Sequence, residues 1–345
     1  MKGTQIILDT IAGREAAGLV TDGALDDLLI DGDTPRLGTI YRARVDRLIK
    51  GQGGVFMKGP DGNLYLRQAK GLSPGDTFLV QVSGNAEPGK ATPVTSRLLF
   101  KSRYAIVTPE APGVNVSRSI REDETRVAVR AAATAAIPEE CAHGIILRSA
   151  CADAIARGDP DAISEDVEAM LSLADQILQD TGNEPEKLLE GDGPHMLAWR
   201  DWPDVMPQKG GLSDWLQSAQ SIHVSLDGPA HMYVEATRAL VAVDVNTGGD
   251  TSPAAGFKAN ISAIRALPRA LRLRGLAGQI VIDLAPMPKK DRKGLEAALR
   301  AALRSDGVET TLVGWTPLGH IELSRKRDRP ALSEVLSEVP TEVLK

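Results

Sequence analysis

Through the first hundred residues, apolar and polar positions follow strand patterns broken by turns. TQIILDT, EAAGLVTDG and ALDDLLIDG read as strands with turns over residues 1–37. From Gly38 onward come IYRARV, GGVFMK, NLYLR and TFLVQV, short alternating segments whose period of two places successive side chains on opposite faces. GQGG, GPDGN and LSPGD sit between them, and Gly, Pro, Asn and Asp in such clusters are turn chemistry. Five short strands in about sixty residues predict a small barrel such as an OB-fold.

After Ser102 the pattern mixes periods. RVAVRAAATAAI predicts a helix and GIILRS a strand. Residues 152–180 look helical, because DPDAISEDVEAMLSLADQILQD opens on capping residues and spaces its apolar positions near 3.6. Residues 181–215 predict a linker or irregular region rich in Gly, Pro and charge, although Trp199 and Trp202 argue that it packs. The last hundred residues are the most regular. SIHVSL, MYVEAT and ALVAVDV are strands, and FKANISAIRALPRALRLRGL is a helix that Pro268 should kink or divide. GQIVIDL is a strand, DRKGLEAALRAALRSDG a helix, and TTLVGW a strand before PLGHIELSRKR. There are no internal repeats.

Strand alternation turns Asp244 and Asn246 of ALVAVDVNTGGD to the same side. The helix that follows leads to a second apolar strand ending at Asp283. Strand, helix, strand with near-continuous apolar runs predicts a βαβ unit with parallel strands. Open α/β sheets bind ligands at the carboxyl ends of such strands, so Asp244 and Asp283 are expected side by side there. Two adjacent carboxylates repel, and a divalent cation relieves that. Magnesium suits such a pair because it keeps several waters. The plain alternative is that each Asp caps a following turn or helix. The glycines of NTGGD make a turn or cradle a phosphate, and by themselves favour the turn.

The net charge of −6 and pI near 5.5 exclude a chain coated with basic patches, but not a local basic groove. Cations do cluster near the two acids: Arg265, Arg269, Arg272, Arg274, Lys289, Lys290, Arg292, Lys293, Arg325, Lys326 and Arg327. They suit a polyanion, or are solvated helix faces. Cys141 and Cys151 form no CxxC, and His143, His195, His223, His231 and His320 are scattered, so ordinary thiols and imidazoles are expected. No apolar run approaches a membrane span and the N-terminus has no signal-peptide pattern, which together predict a cytoplasmic protein.

ALVAVDVNTG, FKANISAIRALPRALRLRGLAGQIVIDL and LGHIELSRKR together resemble the catalytic region of the ribonuclease E/G family. GTIYRARVDRLIKGQGGVFMKG looks like the start of that family's OB-type RNA-binding domain, and GIILRS like its 5′-end sensor strand. The resemblance covers most of the chain and is weak only over 152–230. It implies a metal-dependent endoribonuclease for single-stranded RNA that leaves a 5′-phosphate and a 3′-hydroxyl. Asp244 and Asp283 would hold magnesium, with manganese as the alternative ion. Asn246 would orient Asp244 or the scissile phosphate, completing the catalytic set. RNA contacts would come from Phe56, Tyr65 and Lys90 in the barrel, although Phe56 and Tyr65 also suit a barrel core. Arg148 with Ser149, where the family has Thr, would sense a 5′-monophosphate, with Arg118 nearby and Ser119 in place of a second arginine. Arg272, Arg274 and Arg325 are the further expected RNA-binding residues.

The departures shape the remaining expectations. The family's zinc-link cysteine pair is missing, so no zinc and no zinc-linked dimer or tetramer is expected. No scaffold for degradosome-type docking is expected either. The loop after Asn246 is shorter, and Pro286 in IDLAPM replaces an acid. The expected fold class is α/β (α+β multi-subdomain), with an N-terminal OB-fold RNA-binding barrel and a C-terminal DNase I-like α/β catalytic subdomain. The expected divisions are 1–37, N-terminal strands packing on a reduced RNase H-like part; 38–100, the OB-fold; 101–180, the sensor region; 181–230, a reduced linker or RNase H-like region; and 231–335, the catalytic subdomain. Magnesium-dependent cutting of single-stranded RNA is the reading. The competitors are a noncatalytic RNA-binding protein of the same fold and an α/β phosphatase or nucleotide-binding protein, which would leave the barrel unexplained.

Overall fold

In a computed structural model, which describes residues 3–49, 53–67, 71–87 and 89–337, the chain divides into two units. One is the continuous segment 33–206. The other joins 1–32 to 207–345. Gly51 and Gln52 of the GQGG turn lie outside the described residues.

Within 33–206, the strands Ile40–Leu48, Val55–Gly59, Gly62–Leu66, Thr92–Thr95 and Thr77–Val82 pair in that order. Thr77–Val82 pairs back onto Ile40–Leu48, so five strands close into a barrel and leave few unpaired edges. Alternation fills the interior with Val55, Met57, Leu64, Leu66, Val80 and Val82. A second sheet carries Gly113–Val116, Gly144–Leu147, Ala105–Thr108 and Phe100–Lys101 in that order. Helices Asp123–Thr134, Ala150–Ala156 and Asp161–Leu178 pack on it through Val129, Cys151, Ile163 and Val167.

Two expectations need correction here. Residues 152–180 form parts of two helices, because Gly158 takes a left-handed φ of +74° just before Pro160. Residues 181–215 are not a bare linker. Glu186–Leu189 adds antiparallel to the barrel strand Ile40–Leu48, and Pro194–Asp201 is a helix with Pro at its first turn, where a missing N–H is no loss. Arg42 fastens this segment to the barrel, its Nε 2.8 Å from Asp180 and its Nη2 2.6 Å from Glu186.

The other unit is built on a six-stranded sheet in the order His223–Ser225, His231–Ala236, Val241–Asn246, Gly278–Asp283, Ile321–Arg325, Thr310–Trp315. Val241–Asn246 and Gly278–Asp283 are parallel neighbours joined through the helix Ala255–Leu273. That helix and Arg292–Ser305 cover one face. Val243, Val245, Ile280, Ile282, Ile321 and Leu323 meet Ala263, Ile264, Leu267, Leu271, Leu295 and Leu299 there. Pro268 does not divide the helix. Its ring is buried in the helix's packed side, and that burial offsets the lost N–H bond.

The first three strands, Thr4–Ile11, Arg14–Thr21 and Ala24–Ile30, form an antiparallel meander. The turns Ala12–Gly13 and Asp22–Gly23 carry positive φ at both positions, as tight hairpins require. Ile7, Val20, Leu25 and Leu28 pack with Leu216, Leu273, Leu332 and Leu336. Buried and half-buried ion pairs tie the meander to the rest of this unit. Arg272 reaches Asp26 at 3.1 Å and also bonds Asp306, Arg325 meets the other oxygen of Asp306 at 2.5 Å, and Arg329 meets Asp27 at 2.7 Å. The Asp306 side chain has no solvent exposure.

Removing one partner of a buried ionic group leaves the others charged and unpaired. Asp306→Ala is therefore expected to lower stability by about 3–5 kcal/mol. A shift in urea midpoint with an unchanged slope checks it.

Candidate active site

Strand register assembles the site. Asp244 lies directly across from Tyr233 on one side and directly beside Asp283 on the other. His231 lies across from Asn246, and His223 across from Tyr233. All of these point away from the helix-covered face, because Met232, Val243, Val245 and Ile282 alternate with them into the core. Asp244 and Asp283 are both exposed. Asn246 donates from Nδ2 to Asp244 Oδ2 at 2.8 Å, and His320 Nδ1 lies 3.1 Å from Asp283 Oδ1. A single lateral row thus crosses four strands through His223, Tyr233, Asp244 and Asp283 and ends at His320, the residue before the strand Ile321–Arg325.

Two hard carboxylate ligands on strands about 4.8 Å apart suit a cation that retains water. Among the described residues no group of three or more His, Cys, Asp or Glu is arranged to hold a metal. An ion held by this pair would have to complete its shell with water and substrate oxygens.

The position of Asp283 is fixed from beneath. Asn260, fully buried on the covering helix, donates from Nδ2 to the Ala285 carbonyl and accepts from the Ala285 N–H, each at 2.9 Å. That pair of hydrogen bonds to one residue clamps the chain two residues past Asp283. On the other strand, Gly248 holds a φ of +61°, and a Cβ there would come within 2.1 Å of the Pro229 carbonyl oxygen. The NTGGD glycine thus serves a tight turn against Pro229.

The other expected residues are placed as follows. Phe56 and Tyr65 are paired across adjacent barrel strands on the outer face, half-buried, with ring centres 5.5 Å apart. The Arg47 guanidinium lies 4.7 Å above Phe56. The Tyr65 ring lies on Gly54, where a Cβ would meet its hydroxyl at 2.5 Å. Lys90 is exposed and pairs with Glu87 at 2.5 Å. Arg118 and Ser149 are exposed. Arg148 is engaged: it bonds Asp201 at 2.5 Å and donates to the carbonyls of Ser102, Arg103 and Arg200.

Arg272, Arg274 and Arg325 are not brought to the open face. Arg272 and Arg325 share Asp306. Arg274 is buried against the carbonyls of Ser221 and Ala270, and burial, followed by the nearby Arg269, pushes its pKa down. Arg265, Lys289, Lys290 and Lys293 remain exposed.

His320, Asn260 and the His223, His231 and Tyr233 group were not singled out from the sequence. Asn260 carried a signal, being an amide on the apolar stripe of a helix between Ala259 and Ala263. His231 and Tyr233 alternate in HMYVEA, but only register shows which strand they face.

The chain matches the model of the "Ribonuclease E/G family" over residues 100–205 and 203–328. It is similar to Ribonuclease G of Salmonella typhimurium, at 25% identity over 98% of this chain and 83% of the relative. It is 24% identical to Ribonuclease G of Escherichia coli K12, with the same two shares. Ribonuclease E of Synechocystis sp. is 25% identical over 94% of this chain and 57% of the relative.

The Arg148 pairing yields a pH prediction. Burial works against the Asp201 charge, but hydrogen bonding and charge from Arg200, then Lys101 and Arg148, hold its carboxyl well below the usual range. A carboxylate with a depressed folded pKa stabilises fully above its unfolded value of about 3.9, and that stability is lost as pH falls toward the folded value. Asp201→Asn should cost about 2 kcal/mol at pH 7, and the gap to wild type should shrink below about pH 4. Urea midpoints at pH 7 and pH 3 check it.

Proposed function

Because the chain belongs to the ribonuclease E/G family, we propose that it is a magnesium-dependent endoribonuclease acting on single-stranded RNA in RNA processing or decay in the cytoplasm. The observation that carries this is the register that sets Asp244 beside Asp283 on an open sheet face, with Asn246 bonded to Asp244. Its relatives are named ribonucleases G and E. No helix among the described residues is long and apolar enough to cross a membrane.

Asp244 and Asp283 would hold the ion, magnesium or manganese. When bound, it supplies Lewis-acid stabilisation of the charge that builds on the phosphoryl oxygens. Asn246 locks one Asp244 oxygen so that the other points outward. His320 does the same for Asp283 through its 3.1 Å contact. Asn260 keeps the Asp283 strand end from drifting. Water attacks the phosphorus in line, leaving a 5′-phosphate and a 3′-hydroxyl.

The five-stranded barrel is read as the OB-type RNA-binding domain, and the six-stranded sheet with its two helices as a DNase I-like catalytic subdomain. Phe56 and Tyr65 offer half-exposed rings for bases, and stacking of this kind is worth roughly 1–3 kcal/mol per base. Lys90 would add phosphate contact after releasing Glu87. Sensing of a 5′-monophosphate by Arg148 and Ser149, with Arg118, requires the phosphate to displace Asp201 from Arg148.

A labelled A/U-rich single-stranded RNA with a 5′-monophosphate, incubated with magnesium or with EDTA, tests the reading. Cutting should need the ion and fall at least about a hundredfold in Asp283→Asn, since such an ion contributes several kcal/mol to the transition state. Asn246→Ala, which frees a ligand's orientation, should cost about 10–100-fold. Tight binding without cutting in any metal would sink the enzyme reading in favour of a noncatalytic RNA-binding protein.

A further inference from the structure

The row of side chains that holds the two acids continues past them into a group of rings. His223 and His231 are stacked, with centroids 5.2 Å apart and planes 26° off parallel. Tyr233 stands edge-on to both, at 5.5 Å from His223 and 5.4 Å from His231. His223 is exposed and the other two are half-buried. The residues between them, Val224 and Met232, point into the core, so the rings lie on the open face. They share that face with the acids, because Tyr233 is in register with Asp244 and His231 with Asn246.

We propose that His223, His231 and Tyr233 form a stacking platform for the nucleobase beside the scissile phosphate. This rests on the reading of Asp244 and Asp283 as the cutting site. Three arguments carry it. The chain has only 4 Tyr and 5 His, yet one Tyr and two His converge on one patch of exposed sheet. The spacing is right for a neighbouring nucleotide: with strands about 4.8 Å apart, the Tyr233 strand lies about 7 Å from the midline between the two acids. The chemistry selects a base rather than an anion, since the rings offer π-faces and their charged neighbour in the row is the Asp244 carboxylate. Every base has a π-face, so the platform tolerates any sequence and favours the larger purines.

The test uses the full chain and an oligoadenylate in which 2-aminopurine is moved one position at a time. Bound to Asp283→Asn, which blocks cutting, the probe should be quenched at the position adjacent to the bond that wild type cuts, separately from any position quenched by the barrel rings Phe56 and Tyr65. The quench should vanish in a His223→Ala/Tyr233→Ala background and return with His223→Phe/Tyr233→Trp. In wild-type catalysis the double alanine variant should raise KM at least about tenfold with kcat less affected, the mark of lost uniform binding. An abasic nucleotide at the same position should produce the same loss in wild type and no further loss in the variant. Additive losses from the abasic site and the variant, or a quench unchanged by it, would overturn the platform and leave the paired acids untouched. A wild type that never cuts, yet quenches the probe through these rings, would overturn the catalytic reading and keep the stacking surface. Thermal melting within a few degrees of wild type separates both from misfolding.

Discussion

Two carboxylates on neighbouring parallel strands repel each other, and the large sheet is arranged to hold them together. Parallel pairing demands a crossover, and the crossover helix is held down by Ala263, Ile264, Leu267 and Leu271. The same helix carries Asn260, whose amide holds both the N–H and the carbonyl of Ala285, two residues past Asp283. The open ends are restrained by Asn246 and His320. Apolar burial on one face thus maintains an unfavourable charge arrangement on the other.

The chain spends its arginines inside. Arg272, Arg325 and Arg329 join the opening meander to the rest of its unit through Asp26, Asp27 and Asp306. Arg42 and Arg148 do similar work in the segment 33–206. The cations left at exposed positions near the acids, Arg265, Lys289, Lys290 and Lys293, are separate from this structural set, and others such as Arg47 and Arg118 are exposed on the segment 33–206.

What the sequence made legible was what periodicity encodes. The apolar runs of ALVAVDV and GQIVIDL, with a helix between them, gave the parallel pair and the shared edge of Asp244 and Asp283. Alternation likewise gave the barrel strands but left Phe56 and Tyr65 open between core and surface, and only the formed barrel sets them out of phase with Val55, Met57 and Leu64. Contacts between distant segments were not legible. Asp26, the partner of Arg272, is far away in the chain, so a cluster of arginines looked free for ligand when it was paired. Cross-strand register hid the ring group in the same way, since His223 and Tyr233 meet only once the hairpin is formed. Pro268 misled because local rules count the lost N–H but not the burial that offsets it.

The division of the chain sets an order for its synthesis. Residues 33–206 are contiguous and can fold as they leave the ribosome. The first strands emerge earlier but cannot finish. Ile7 and Leu25 wait for Leu216 and Leu332, and Asp27 waits for Arg329. The unit that contains these strands can thus be completed only after residues 207–337 have been made. Until Leu332–Leu336 has been made, the apolar side of this meander lacks part of its cover, and exposed apolar strands of that kind invite aggregation.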